Sequence, residues 1–93
     1  MAKYLARVEL HRAVEADYEQ LHNAMYERGF YRIVQGDNQQ WYALPTGTYI
    51  KYSGSTLQDA LNDAIAAANT TGKRNSLIVV DWNSALWSGL AKV

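Results

Sequence analysis

The chain has 93 residues, 48% of them hydrophobic and 12% aromatic, the content of one packed domain over residues 1–93 and not of a disordered segment. Nine basic residues balance nine acidic ones, so the formal charge is zero and the overall basic footprint of a non-specific nucleic-acid binder is absent. Cysteine is missing, which excludes disulfides, thiolate catalysis and cysteine-ligated zinc, and no apolar run reaches the roughly 18–20 residues of a membrane span.

The chain opens without a basic segment leading into a long apolar one, so no secretion signal and no membrane partner are expected, and the expected setting is cytoplasmic. Tyr4, Ala6, Val8 and Leu10 alternate with Lys3, Arg7, Glu9 and His11, as in a strand with one buried face. The period then changes to 3.6. Val14, Tyr18, Leu21 and Met25 recur at i, i+4, i+7 and i+11 and predict a helix that Gly29 ends. Phe30 to Gln35 reads as a second strand, and residues 36–40 (GDNQQ) as a turn. Trp41 to Tyr52 is a third extended segment, with Pro45 and Gly47 placing a bulge or bend inside it.

Ser55 and Thr56 are N-cap candidates, with Gln58 and Asp59 at capping-box spacing. Leu57, Leu61, Ala64, Ile65 and Ala68 predict the buried stripe of a second helix, closed by Gly72. Asn75 to Trp82 reads as a fourth strand. Its Leu77-Ile78-Val79-Val80 run does not alternate, which predicts cover on both faces, with Leu86, Trp87 and Leu90 of the tail as the second cover. The order β-α-β-β-α-β with right-handed crossovers gives an α+β fold, a ferredoxin-like βαββαβ sandwich with two helices on one face of an antiparallel sheet. Another small α+β arrangement of the same elements is the alternative.

The chemistry-bearing residues are few. His11, at the end of the first strand beside Arg12 and near Glu9, is a candidate general acid or base; an exposed turn histidine is the plainer account. His22 lies on or beside the buried stripe and reads as a packed histidine. The two histidines lack a third ligand nearby, so no metal or other cofactor is expected. Glu15, Asp17 and Glu19 crowd the start of the first helix, where the helix dipole favours negative charge, as do Asp59 and Asp63 on the second. Asp81 ends the fourth strand, and Ser55 and Ser76 have no evident base partner. No phosphate loop, HExxH motif or nucleophile elbow is present. Arg28 to Arg32 (RGFYR) begins like the RNP1 element of RNA-recognition modules but departs after three residues and follows a helix, so that assignment is rejected. A local basic cluster drawn from Arg7, Arg12, Arg28, Arg32, Lys51, Lys73 and Arg74, with Tyr31, Tyr42, Tyr49 and Tyr52 as stacking surfaces, is the remaining route to RNA. Core-edge or dimer tyrosines are the plainer account of the same residues.

At RVELH, DYEQLHNAM, ERGF and WYALPTGTY, together with the element order, the chain resembles the GhoS family of small bacterial endoribonuclease antitoxins, from about Lys3 to Asp81. The resemblance implies a ferredoxin-like fold, like that of small CRISPR-associated nucleases, and cleavage of a toxin messenger RNA. Those CRISPR-associated nucleases carry a metal-binding aspartate at the end of the first strand. Here that place reads Glu9-Leu10-His11-Arg12, and the next aspartate is Asp17. A metal-independent cleavage is therefore the expectation, with His11 as acid or base and Arg12 and Arg28 stabilising the phosphate charge. Arg7, Tyr31, Arg32 and Lys51 are the expected RNA contacts. The alternative is a non-catalytic module that binds a protein partner or forms a homodimer through the sheet face or the tail.

Overall fold

The computed structural model describes residues 3–52 and 56–93. It is an α+β molecule with two helices and an antiparallel four-stranded sheet. Strand β1 (Lys3–Leu10) pairs on one side with β5 (Thr48–Lys51) and along its whole length on the other with β6 (Asn75–Trp82). Strand β2 (Phe30–Tyr31) adds to β5, giving the order β2-β5-β1-β6.

The second and third extended segments are each broken in two. Strand β3 (Ile33–Gln35) leaves the sheet after Arg32 and forms a separate hairpin with β4 (Trp41–Ala43). The bend expected at Pro45 and Gly47 separates β4 from β5. Gly47 has φ +88°, and a Cβ there would lie 2.5 Å from the Val8 carbonyl oxygen, so only glycine lets this loop press against β1. Val8 N–H donates to the Gly47 carbonyl at 2.7 Å, and Arg7 Nη1 donates to the Thr46 carbonyl at 2.7 Å.

One face of the sheet carries the core. Tyr4, Ala6, Val8 and Leu10 of β1 are buried with Phe30, Tyr49, Leu21 and Met25. Helix α1 (Glu15–Glu27) begins where the Asp17 carboxylate accepts from Val14 N–H at 2.9 Å, and ends at Gly29, with φ +84°. Val14 is the N-cap and is exposed; the buried part of the predicted stripe is Leu21 and Met25, with Tyr18 packed beside it.

Helix α2 (Leu57–Asn69) is capped by Thr56, whose hydroxyl accepts from Asp59 N–H at 3.0 Å; Ser55 lies outside the described residues. Its buried stripe differs from the expectation. Ala64 and Ala68 of the expected stripe are buried, joined by Ala60 and Ala67, while Leu61 is half-buried and Leu57 and Ile65 are exposed. The helix is turned so that its smallest side chains meet the core, where they allow close approach to the sheet and to α1.

Strand β6 corrects another expectation. Leu77 and Val79 pack on the core, but Ile78 is 59% and Val80 38% exposed, so the second face of this strand is open. The tail does not cover it. Ala91 and Val93 instead bond to Ala43 and Trp41 of the hairpin, and the Trp87 ring packs at a tilt against Tyr42, 5.6 Å between ring centroids. No described helix is long and apolar enough to cross a membrane.

Candidate functional site

Strand parity decides which polar residues share a surface. Even-numbered residues of β1 enter the core, so Arg7 and Glu9 project from the open face, spaced two residues or about 7 Å apart. His11 continues that row. Its ring turns onto the open face, where Nε2 and the Ser76 hydroxyl are hydrogen-bonded at 2.9 Å, and Ser76 sits directly opposite Glu9. Ser76 thus has a histidine partner that the sequence did not make evident. Arg7 is held by the Thr46 carbonyl and, at 3.3 Å, by the Thr48 hydroxyl. Both bonds use one guanidinium nitrogen of a group with five donors.

Beyond His11 the sheet ends in a basic rim. A cavity of about 550 Å³ is lined by His11, Arg12, Gly72, Lys73 and Arg74. It adjoins one of about 480 Å³ that also takes in Asn69 and Asn75. His11 N–H donates to the Arg74 carbonyl at 2.8 Å, which ties the β1–α1 loop to the α2–β6 loop. Lys73 Nζ stands 3.7 Å from Asp17 Oδ2. Arg12 adopts φ 54°, a left-handed backbone that costs a side-chain-bearing residue about 1–2 kcal/mol.

The structure separates residues that the sequence reading grouped. Arg28 does not approach His11. It lies at the opposite end of the sheet, where its Nη1 meets Asp63 Oδ1 at 3.1 Å and its carbonyl accepts from Lys51 Nζ at 2.6 Å. Lys51 is opposite Tyr4 and Asn75 opposite Leu10, so about 20 Å of strand separates the two ends. Lys51 itself is buried on the helix side of the sheet and also reaches Asp63 at 3.7 Å, away from any ligand on the open face. Tyr31 lies on the side of the sheet away from the helices, opposite Ile50, which is buried there while Tyr31 stays partly exposed. Arg32 follows at the break between β2 and β3 and is exposed.

The His22–Tyr49 pair is a core contact. Nδ1 and the Tyr49 hydroxyl are 2.6 Å apart. Burial, then the nearby Arg32 charge, lowers the His22 pKa against a smaller opposing pull from Glu19, while burial holds the Tyr49 hydroxyl well above its ordinary value. Both directions favour the uncharged forms, so the contact is a hydrogen bond between a neutral imidazole and a phenol. Among the described residues, no three His, Asp or Glu side chains form a metal-ligating group, and Asp81 stands at the strand end opposite Tyr4.

Glu9, Ser76, Lys73 and Arg74 are the members of this surface that the sequence reading passed over or left unplaced. For Glu9 the signal was present, because positions 7, 9 and 11 share one parity. Lys73 and Arg74 reach the site only through the pairing of β1 with β6, which no local pattern encodes. Neither a protein-family model nor a curated protein matches the chain.

Proposed function

We propose that this protein is a small cytoplasmic endoribonuclease that binds single-stranded RNA on the open sheet face and cleaves it by acid–base chemistry. The observation that carries the proposal is the row Arg7, Glu9, His11 on one strand face, adjoining the rim Arg12, Lys73, Arg74. A carboxylate and an imidazole about 7 Å apart along the strand are placed to flank one phosphodiester. Glu9 takes the proton of the ribose 2′-hydroxyl, and the oxygen attacks the adjacent phosphorus. The bond to the 5′-oxygen breaks as His11 donates a proton to it, leaving a 2′,3′-cyclic phosphate and a 5′-hydroxyl. Arg7 and Arg12 stabilise the charge that develops on the phosphoryl oxygens.

The resemblance to the GhoS antitoxins supports a toxin messenger as the target, and the strand order supports the ferredoxin-like assignment. With β2 and β5 counted as the second and third strands, the order across the sheet is fourth, first, third, second.

The test is cleavage of a mixed RNA pool in EDTA by the wild type, His11→Ala and Glu9→Gln. General acid–base catalysis contributes about 10²–10⁴-fold, so each variant should lose at least 100-fold while still binding RNA, and wild-type products should end in cyclic phosphate. Full activity in His11→Ala would overturn the assignment. A second reading, a protein-binding or self-associating module, is favoured by one observation. Ile78 and Val80 are exposed on β6, which among the described residues pairs only with β1. A stable complex lost on Ile78→Asp, without RNA cleavage by the wild type, would select it.

A further inference from the structure

We infer that a second subsite on this protein holds one unpaired nucleobase, in the aromatic pocket lined by Tyr31, Ile33, Trp41 and Tyr52. It rests on the proposed cleavage site and narrows the substrate to single-stranded RNA long enough to reach both places.

The pocket forms where the β3–β4 hairpin folds beside β2 and β5. Its volume is about 190 Å³, below the roughly 300–1,000 Å³ that accommodate drug-sized ligands, so it admits one ring system and not a whole nucleotide or a peptide segment. Three of its four lining residues are aromatic. Tyr52 spends its hydroxyl on the Ile33 carbonyl at 2.8 Å and offers the pocket its ring. Tyr31 lies 6.2 Å from the Tyr52 ring and 5.5 Å from that of Tyr26, the latter edge-on. Those contacts fix the Tyr31 ring, yet it remains 39% exposed and Trp41 38% exposed. Rigid aromatic surfaces that are open to solvent are what an unstacked base needs, and every base has a π-face to offer them.

Position along the sheet links the pocket to the cleavage row. Tyr31, Ile50, Leu5 and Val80 form one cross-strand line, in which Ile50 is buried, and Arg7 begins the next line on the same side of the sheet, so an RNA strand leaving the pocket passes over the covered Ile50 before it reaches Arg7. From Tyr31 the path to His11 crosses two strand spacings and runs six residues along β1, about 22 Å in all. A few nucleotides of single strand cover that distance, with Arg7 under the intervening phosphates. A duplex, whose bases are stacked on each other, cannot place one in the pocket.

The experiment uses full-length His11→Ala, so that RNA stays intact, and a fluorescein-labelled RNA hexamer read by anisotropy. A set of hexamers, each with a single abasic position, is titrated in parallel. Stacking on one aromatic site is worth about 1–3 kcal/mol, so Trp41→Ala should weaken hexamer binding about 5- to 150-fold, and Tyr31→Ala similarly. Trp41→Phe, which keeps a ring, should retain most of the affinity and shows that loss in Trp41→Ala is not loss of fold. One abasic position should reproduce the defect in the parent protein and add nothing in Trp41→Ala. Uniform effects across the abasic set, or unchanged binding in both alanine variants, would overturn the subsite. That result would leave the cleavage assignment standing if His11 still governs cutting. A pocket that passes these tests in a protein that cuts without His11 would instead overturn the cleavage site and retain the base subsite. Failure of the parent to bind any hexamer overturns both.

Discussion

Arg12 holds a backbone conformation that glycine adopts without penalty, at φ 54° on the rim of the basic cavity. The left-handed conformation costs about 1–2 kcal/mol, while glycine's extra freedom in the unfolded chain costs about 0.5–1 kcal/mol. Arg12→Gly should therefore stabilise the protein by about 0.5–1 kcal/mol, measured by urea denaturation, and weaken RNA binding at the same time. A structural arginine would show the opposite sign in the first measurement and nothing in the second. His22 supports a different prediction. Its folded pKa lies below the ordinary value of 6.5, so as pH falls past 6.5 the unfolded chain takes up a proton first. The stability this residue contributes is complete above 6.5 and is lost as pH drops toward the lowered folded value. The melting temperature of the wild type should fall over that range, and His22→Gln should flatten that limb. Tyr49 acts at the other extreme: its raised pKa keeps its contribution intact below pH 10, with loss only as pH rises beyond.

At the scale of elements, the helices and the first strand were legible because each has a clean period or a cap, and the last strand because its apolar run is β-branched and short. Thr56 capping α2 and Gly29 ending α1 sit where local chemistry puts them. The rotation of α2 was not legible. Leu57, Leu61 and Ile65 outrank alanine in hydrophobicity, so a pattern read by size assigns them to the core. What decides the face is the space between α2, the sheet and α1, and that space takes Ala60, Ala64 and Ala67. Ala64→Leu should accordingly destabilise by about 1–3 kcal/mol through overpacking. Leu57→Ala should stay within about 0.5 kcal/mol, since the side chain it removes is exposed. Equal effects in thermal melts would mean that the leucine face is the buried one. The β6 error has a related cause. Leu77 to Val80 is apolar without alternation, yet only alternate residues reach the core, and Ile78 and Val80 stand on the opposite face beside the row of Arg7 and Glu9.

For the whole molecule, zero net charge argued against RNA, and the fold shows how a neutral protein can still present a cationic surface. Cations and carboxylates are partitioned. Arg28 and Lys51 are paired with Asp63 at one end, while Arg12, Lys73 and Arg74 line the cavity at the other. That partition depends on contacts between residues distant in sequence, so only chain neighbours (His11 with Arg12, Lys73 with Arg74) and the same-parity row Arg7, Glu9, His11 could be grouped in advance. It also sets the strength of the electrostatic contribution. Arg7, Arg12, Lys73 and Arg74 offer three or four phosphate contacts, with Lys73 already shared with Asp17. At about −0.7 per neutralised phosphate on a single strand, the slope of log K against log salt should be about −2 to −3. Titrating the labelled hexamer into His11→Ala at several salt concentrations measures it, and Lys73→Ala or Arg74→Ala should each reduce its magnitude by somewhat less than one. A slope near zero would mean that phosphates do not engage the rim. A slope much steeper than −3 would require cations outside the row and the rim, with Lys3, exposed on β1 at the same parity as Arg7, the first to test.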